Sequence, residues 1–417
     1  MPLPRSRPLL LIGPGETMLN QDIVREATRL TRAGQLVEAT ALLQGMLRGK
    51  SAPDATLKSS PIALPGPKPT TIEAEVNDVE DADRSDLAPP KFTQRHLFRD
   101  VLDRTKEPSK FGLRGRVKRA PLSTPDIVPD GARFVEGIYS NPAGSRTYKL
   151  CIPSRYQGQP LPLVVMLHGC TQSPDDFAAG TRMNFIAEEQ NCFVLYPAQR
   201  TEANQARCWN WFRATDQQRG SGEPSLIAGM TRQVMRDYSI APERVYVGGL
   251  SAGAAAAAIM GATYSDLYAA IGVHSGLACG AASDLPSAFI AMRQGGGSDG
   301  WAMLDEGPIV PIIVFHGDRD ATVHPSNGDQ ILEQSMRRTS TQKKVDSGRV
   351  PGGHAYTRTI HTDASGRGIF EQWIIHGAGH AWSGGSPAGS YTDPRGPDAT
   401  REMLRFFLEH SLAQQEG

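Results

Sequence analysis

The chain has 417 residues, and 44 Lys and Arg balance 44 Asp and Glu, so its formal net charge is zero. That balance argues against a basic surface for nucleic acid or an anionic membrane, while a hydrophobic fraction of 39% suffices for one large domain with extensions or for two domains. Five cysteines in a chain this long, with no C-x-x-C pair, argue against a disulfide scaffold and a zinc ribbon, leaving room for one bridge.

Near the N-terminus Arg5 and Arg7 precede Pro8–Pro14 (PLLLIGP), an apolar run too short and too Pro/Gly-bounded to read as a signal peptide; Met18 is a rival start. Ile23, Ala27 and Leu30, then Leu36, Ala39, Leu42, Leu43 and Leu47, recur at helical spacing around Gly34. Residues 1–50 are therefore expected to hold a short helical hairpin that packs on the main domain or on a partner. It faintly resembles one tetratricopeptide unit, but a single unit cannot bury its own face. Residues 51–129 are rich in Pro, Asp, Glu, Ser and Thr, the composition of a disordered linker. Basic residues between Lys106 and Arg119 lack interleaved aromatics and read as solvated charge, so no nucleic-acid partner is expected. No stretch is long enough to span a membrane.

From residue 130 to 417 apolar runs alternate with helical patterns. Phe134–Ser140 and Tyr148–Ile152 read as a hairpin, and Leu161–Leu167, Cys192–Pro197, Val245–Leu250, Tyr268–His274, Ile309–Phe315 and Glu371–Ile375 as further strands. Asn184–Gln190, Ser225–Tyr238, Ser326–Arg338 and Asp398–His410 read as helices. The alternation predicts an α/β class domain: a mostly parallel sheet, helices on both faces, ligands outside the carboxyl ends of the strands.

The most informative stretch is Val245–Ala254 (VYVGGLSAGA), a buried strand running into G-x-S-x-G and then a small-residue helix. That context fits a nucleophile elbow, a strained turn that admits only very small side chains around Ser251. A serine hydroxyl needs a base, and the base an orienting acid, in the chain order Ser, Asp/Glu, His for this kind of elbow. Val314–Pro325 supplies the acid: Asp320 lies deeper in the loop, while Asp318 reads as holding the turn. A rival reading takes His316, Asp318, Asp320 and His324 as metal ligands, but their spacing matches no metal motif for such enzymes, so none is assigned. Gln372–Trp382 supplies the base, His380, with His376 as the alternative nearer the strand. Two backbone donors are needed for a tetrahedral oxyanion. The N–H groups of Ala252 and of Cys170, in the loop after Leu161–Leu167, are the candidates. Trp209, Asn210 and Trp211, in Cys208–Phe212, are read as lining the substrate pocket, with core packing as the competing account. A Cys170–Cys208 bridge would clamp that loop to the oxyanion loop.

Together, Leu167–Gln172 (LHGCTQ), Cys208–Trp211 (CWNW), Gly248–Gly253 (GGLSAG), His316–Val323 (HGDRDATV), Gly379–Gly384 (GHAWSG) and Ser390–Asp398 (SYTDPRGPD) resemble the poly(3-hydroxybutyrate) depolymerase family of serine esterases, which also includes acetylxylan and feruloyl esterases. The resemblance covers residues 130 to 412. It implies an α/β-hydrolase fold, a Ser251–Asp320–His380 triad, Cys170 at the oxyanion hole and an ester substrate. Trp382, in the His380 motif, joins the expected substrate-binding set. No cofactor is expected. The family's secreted polymer depolymerases carry a signal peptide and a polymer-binding domain. Without either pattern in this sequence, soluble oligomers, amorphous polymer or small acyl esters are the expected substrates, with a carbohydrate esterase as the alternative and a non-catalytic binding protein as the remote one. The resemblance implies an extracellular or periplasmic location; the missing signal pattern leaves the cytoplasm open.

Overall fold

Leu161–Leu167 (LPLVVML) carries no charged residue and is buried at every position. Leu163, Val165 and Leu167 enter one apolar cluster, Val164 and Met166 the other. A strand with two apolar faces needs cover on both sides, which a parallel sheet with helices above and below provides. The computed structural model describes residues 126–296 and 307–412, all within the second of the chain's two units, Thr93–Gly417. The expected helical hairpin in 1–50 and the linker up to residue 125 lie outside the described residues.

Among the described residues the strands are β1 (Arg133–Asn141), β2 (Gly144–Ile152), β3 (Leu161–Leu167), β4 (Phe193–Pro197), β5 (Ile240–Leu250), β6 (Ala270–His274), β7 (Ile312–Gly317), β8 (Gln342–Arg349), β9 (Ala355–Thr362), β10 (Gly368–His376), β11 (Trp382–Ser383) and β12 (Thr392–Asp393). The first ten form one sheet in the order β1-β2-β4-β3-β5-β6-β7-β10-β9-β8. Strands β4 through β10 in that order are parallel, and an antiparallel hairpin closes each border. Helices α1 (Pro174–Thr181), α2 (Met183–Glu189), α3 (Gly222–Asp237), α4 (Ala252–Thr263), α5 (Leu285–Gln294), α6 (Ser326–Met336) and α7 (Ala399–Leu408) complete it. This is the α/β-hydrolase fold. No helix among the described residues is long and apolar enough to cross a membrane.

Buried side chains of α3, α4, α5 and α6 share the cluster of Leu163 and Val165, and those of α1, α2 and α7 share the cluster of Val164 and Met166. On the second face Gly248 and Gly272 leave room for Met403. A Cβ at Gly272 would lie 2.5 Å from the Met403 sulfur. Beside it Phe407 is fully buried and stacks on Tyr246 at 5.1 Å. Arg405, from the same helix, and Arg358 of β9 both bind the buried Glu371 of β10, at 2.7 and 2.9 Å. Helix α7 is thereby tied to the strand that leads to His380.

Six of these elements were not expected from the sequence, the two-residue strands β11 and β12 among them. Helix α1 starts at the Ser173 cap, whose side chain accepts from the Asp176 N–H, and stops at Arg182 with φ 55°. Helix α5 starts at a reciprocal Asp284–Ser287 capping box and stops at Gly295 with φ 94°. Strands β8 and β9 form the outer hairpin; β8 is polar and exposed along nearly its whole length. Strand β5 starts at Ile240 rather than Val245, and β7 runs from Ile312 to Gly317 rather than from Ile309 to Phe315.

Because Phe407 fills its site completely, Phe407→Ala is expected to lower the unfolding free energy by about 3–5 kcal/mol. Urea denaturation of the two proteins measures this, with the slope unchanged if only stability is altered.

Candidate active site

The elbow arises where β5 passes directly into α4. Ser251 sits between them at φ 56° and ψ −120°, a conformation a non-glycine residue rarely holds. Its N–H donates to the His274 carbonyl at 2.9 Å and its carbonyl accepts from Ala255 at 3.0 Å, so both sides of the residue are fixed. The flanking glycines are steric requirements. A Cβ on Gly249 would meet the Leu167 carbonyl oxygen and the Gly253 carbonyl carbon at 2.5 Å; on Gly253 it would meet the Leu167 oxygen at 2.0 Å. The Ser251 side chain does not cap α4, and it lines a pocket.

The acid loop leaves the end of β7. Asp320 Oδ1 accepts the N–H groups of Thr322 and Val323, each at 2.9 Å. Oδ2 lies 2.7 Å from His380 Nδ1 and 3.5 Å from His316 Nε2, and none of the carboxylate side chain is exposed. Burial alone pushes this carboxyl up, but the charge of His380 and the hydrogen bonds from His316 and His380 outweigh it and hold the group well below the usual carboxylate range. His316 donates from Nε2 to the Val323 carbonyl at 2.9 Å, bracing the same loop.

His380 follows β10, the strand beside β7. Asp318 joins the two loops outside the Asp320–His380 pair: its carboxylate binds His376 Nδ1 at 2.9 Å and the Gly377 N–H at 2.7 Å. His376 also meets Thr357 Oγ1 through Nε2 at 2.9 Å. His324 pairs with Ser326 at 2.8 Å. Of the four side chains in the rival metal reading, His316 and Asp320 contact each other while Asp318 pairs with His376 and His324 with Ser326, and no group of three or more His, Cys, Asp or Glu among the described residues is arranged to hold a metal ion.

The third element is the loop after β3. A disulfide joins Cys170 to Cys208. Neither the Cys170 nor the Ala252 N–H has an acceptor among the described residues. Both residues line the pocket with Ser251, and Ala252 opens α4, where the helix dipole favours negative charge. The pocket has a volume of about 30 Å³; its other walls are Trp211, Phe212, Leu277, Thr322, Val323 and the α5 residues Leu285, Ala288, Phe289 and Met292. No charged side chain lines it.

Of the four candidate substrate-binding residues, the structure brings Trp211 to the pocket. Trp209 is fully buried and donates to the His168 carbonyl at 3.1 Å. Asn210 is bound through both its N–H and its side chain to Glu223, at 2.7 Å each. Trp382 donates to Thr400 Oγ1 and stacks against His274 at 5.0 Å. Sequence reasoning did not single out His274, Glu223 or the α5 wall. His274 Nε2 accepts the Ser383 N–H at 3.0 Å, anchoring the chain just after His380. The buried Glu223 has its carboxyl raised by burial and by Asp216 against hydrogen bonds from Asn210 and Gln199. Only α5 left a local trace, its Asp284–Pro286 start.

Residues 146–352 match the sequence profile of the family described as Esterase PHB depolymerase. Over that segment the domain is similar to the family. Poly(3-hydroxyalkanoate) depolymerase C of Paucimonas lemoignei is 33% identical over 261 residues, which cover 59% of this chain and 60% of the relative. A probable acetylxylan esterase A of Aspergillus clavatus is 28% identical over 215 residues, covering 48% of this chain and 68% of the relative. This chain therefore spans only part of the depolymerase's length. Among solved structures, an acetyl xylan esterase from Aspergillus awamori superimposes with a TM-score of 0.53 at 19% identity, covering 67% of this chain and 99% of that one, a likeness of fold.

Two imidazoles beside the family's Ser and His motifs are buried neutral. Burial pushes His168 down to about 4 from 6.5, with Arg207 adding to the shift and the Gly169 carbonyl opposing it. Burial and the charges of His316 and His380 push His274 down to about 3. Below about pH 6.5 the unfolded chain takes up protons at these positions that the folded chain refuses. Their contribution is fully present above that pH and is lost as the pH falls toward 4 and 3. Unfolding free energy is expected to drop between pH 6.5 and 4.5, and to drop less in His274→Gln, which keeps an acceptor for Ser383; urea titrations at the two pH values measure both.

Proposed function

We propose that this domain is a serine carboxylic-ester hydrolase acting on esters of short acyl groups, including hydroxyalkanoate oligomers and amorphous polymer. The observation that carries this reading is one shared pocket wall. Ser251 lines it together with Thr322 and Val323, whose N–H groups hold Asp320, the partner of His380 at 2.7 Å.

In this reading His380 gives its Nδ1–H to Asp320, which leaves the Nε2 lone pair to take the Ser251 proton as Oγ attacks the ester carbonyl. Asp320 stays ionised and stabilises the imidazolium that forms. The N–H groups of Cys170 and Ala252 receive the oxyanion, helped by the α4 dipole. His380 then protonates the leaving alcohol, and water repeats the sequence to release the acid. The route uses no cofactor. A small pocket of about 30 Å³ with no charged lining supports a short, uncharged acyl group. The Cys170–Cys208 bridge supports an oxidising compartment, extracellular or periplasmic.

A second reading, an acetylxylan-type carbohydrate esterase, draws on the same pocket, which suits acetyl, and on the acetylxylan esterase relative. The two readings part on the alcohol side of the ester. Hydrolysis of hydroxybutyrate trimer faster than deacetylation of acetylated xylan is the expected result; the reverse order makes the carbohydrate esterase the better description.

Ser251→Ala is expected to lower kcat on p-nitrophenyl butyrate by roughly 10³- to 10⁶-fold and to abolish fluorophosphonate labelling. Near-normal turnover by that variant would remove Ser251 from the mechanism. Across p-nitrophenyl esters, kcat/KM is expected to fall about ten-fold or more from butyrate to octanoate, and Met292→Ala to recover much of the loss by opening the pocket wall.

A further inference from the structure

The loop that carries Cys170 has its backbone donors almost fully committed. The Gly169 N–H donates to Gln172 Oε1 at 2.9 Å, the Thr171 N–H to the Ala206 carbonyl at 2.6 Å and the Gln172 N–H to the Gly169 carbonyl at 3.3 Å. The Cys170 N–H alone in this run has no acceptor among the described residues. Its direction is not free, however. It belongs to the same planar trans peptide as the Gly169 carbonyl, and in such a unit N–H and C=O point opposite ways. Whatever fixes the carbonyl therefore aims the N–H.

His168 Nδ1 lies 2.8 Å from the Gly169 carbonyl oxygen. A carbonyl can only accept, so Nδ1 carries the proton. The other nitrogen enforces this: Nε2 lies 3.1 Å from the Gln199 N–H, a donor that demands a lone pair there. Gln199 is itself anchored, with its side chain bonded to Arg146 Nε at 2.9 Å, to the Cys208 carbonyl at 2.9 Å and to Glu223. The ring is 1% exposed and packs against Trp209, whose indole N–H holds the His168 carbonyl at 3.1 Å.

We propose that His168 is a positioning residue for ester hydrolysis: its Nδ1–H pins the Gly169 carbonyl and thereby aims the Cys170 N–H at the oxyanion. The inference rests on the serine-esterase reading. It assigns the buried polar cluster of Arg146, Gln199, Asn210 and Glu223 the task of holding one imidazole tautomer.

Two substitutions separate this role from plain packing. In His168→Asn the side-chain amide sits as many bonds from the backbone as Nδ1 and can still donate to the Gly169 carbonyl. In His168→Gln the amide reaches the Nε2 position and can accept from Gln199, but the donor to Gly169 is gone. With p-nitrophenyl butyrate, His168→Gln is expected to lose about 10- to 100-fold in kcat with KM unchanged, and an alkyl boronate inhibitor to weaken by the same factor. His168→Asn is expected to stay within about three-fold of the unsubstituted kcat, since the donor that matters is kept. Unchanged kcat in His168→Gln overturns the proposal. So do equal losses in both variants that follow their Tm. Should His168→Gln not fold, a folded His168→Asn that loses more than ten-fold in kcat overturns it as well. Fluorophosphonate labelling of the unsubstituted protein keeps the two readings apart. No serine adduct sinks the esterase reading and this proposal with it; a normal adduct with an unaffected His168→Gln sinks this proposal alone.

Discussion

The whole site depends on one steric constraint, the contact of the elbow with the end of β3. Gly253 lies so near the Leu167 and His168 carbonyls that a single added carbon would sit 2.0 and 2.5 Å from them. No side chain can be accommodated there without moving a strand. The closeness has a purpose that geometry makes plain: it brings the loop after β3 and the first turn of α4 together, so that the N–H groups of Cys170 and Ala252 line one pocket. The left-handed backbone of Ser251 is the local strain that this contact sustains.

Around that contact the sheet acts as a rigid frame. Adjacent parallel strands β5, β6, β7 and β10 deliver Ser251, His274, Asp320 and His380 to the same edge in order. Each delivered loop is then tied to its neighbour by a side chain that needs no part in bond making. His274 holds the Ser383 N–H and Asp318 the Gly377 N–H across loops, while His316 braces Val323 within its own loop. Positional precision comes from these cross-loop ties more than from any one strand, because loops alone carry few buried contacts.

Much of this was legible in the sequence for a physical reason. Strands buried on both faces, such as Leu161–Leu167, leave continuous apolar runs, and the elbow leaves small residues at fixed offsets from Ser251. What was not legible lies where side-chain chemistry does not record the structure. Strand β8 pairs through its backbone at a solvent border, so Gln342–Arg349 shows no apolar alternation beyond Val345. The wall contributed by α5 depends on Leu285, Phe289 and Met292 meeting Trp211 across the chain, a pairing that local pattern cannot encode. The tryptophans illustrate the same limit. Trp209 and Trp211 are two positions apart, yet one is sealed against His168 while the other faces the pocket; their spacing alone could not distinguish the roles.

The outer border strand has one more consequence. An open sheet margin offers unpaired backbone groups to any extended segment that drifts by. Among the described residues that margin carries Lys343, Lys344, Asp346 and Arg349, with Lys344 and Asp346 paired at 3.6 Å, and Val345 stands as a lone apolar residue 51% exposed. A foreign segment annealing to it would have to strip water from a row of charged side chains, so the ladder ends in a fringe that favours solitude over growth.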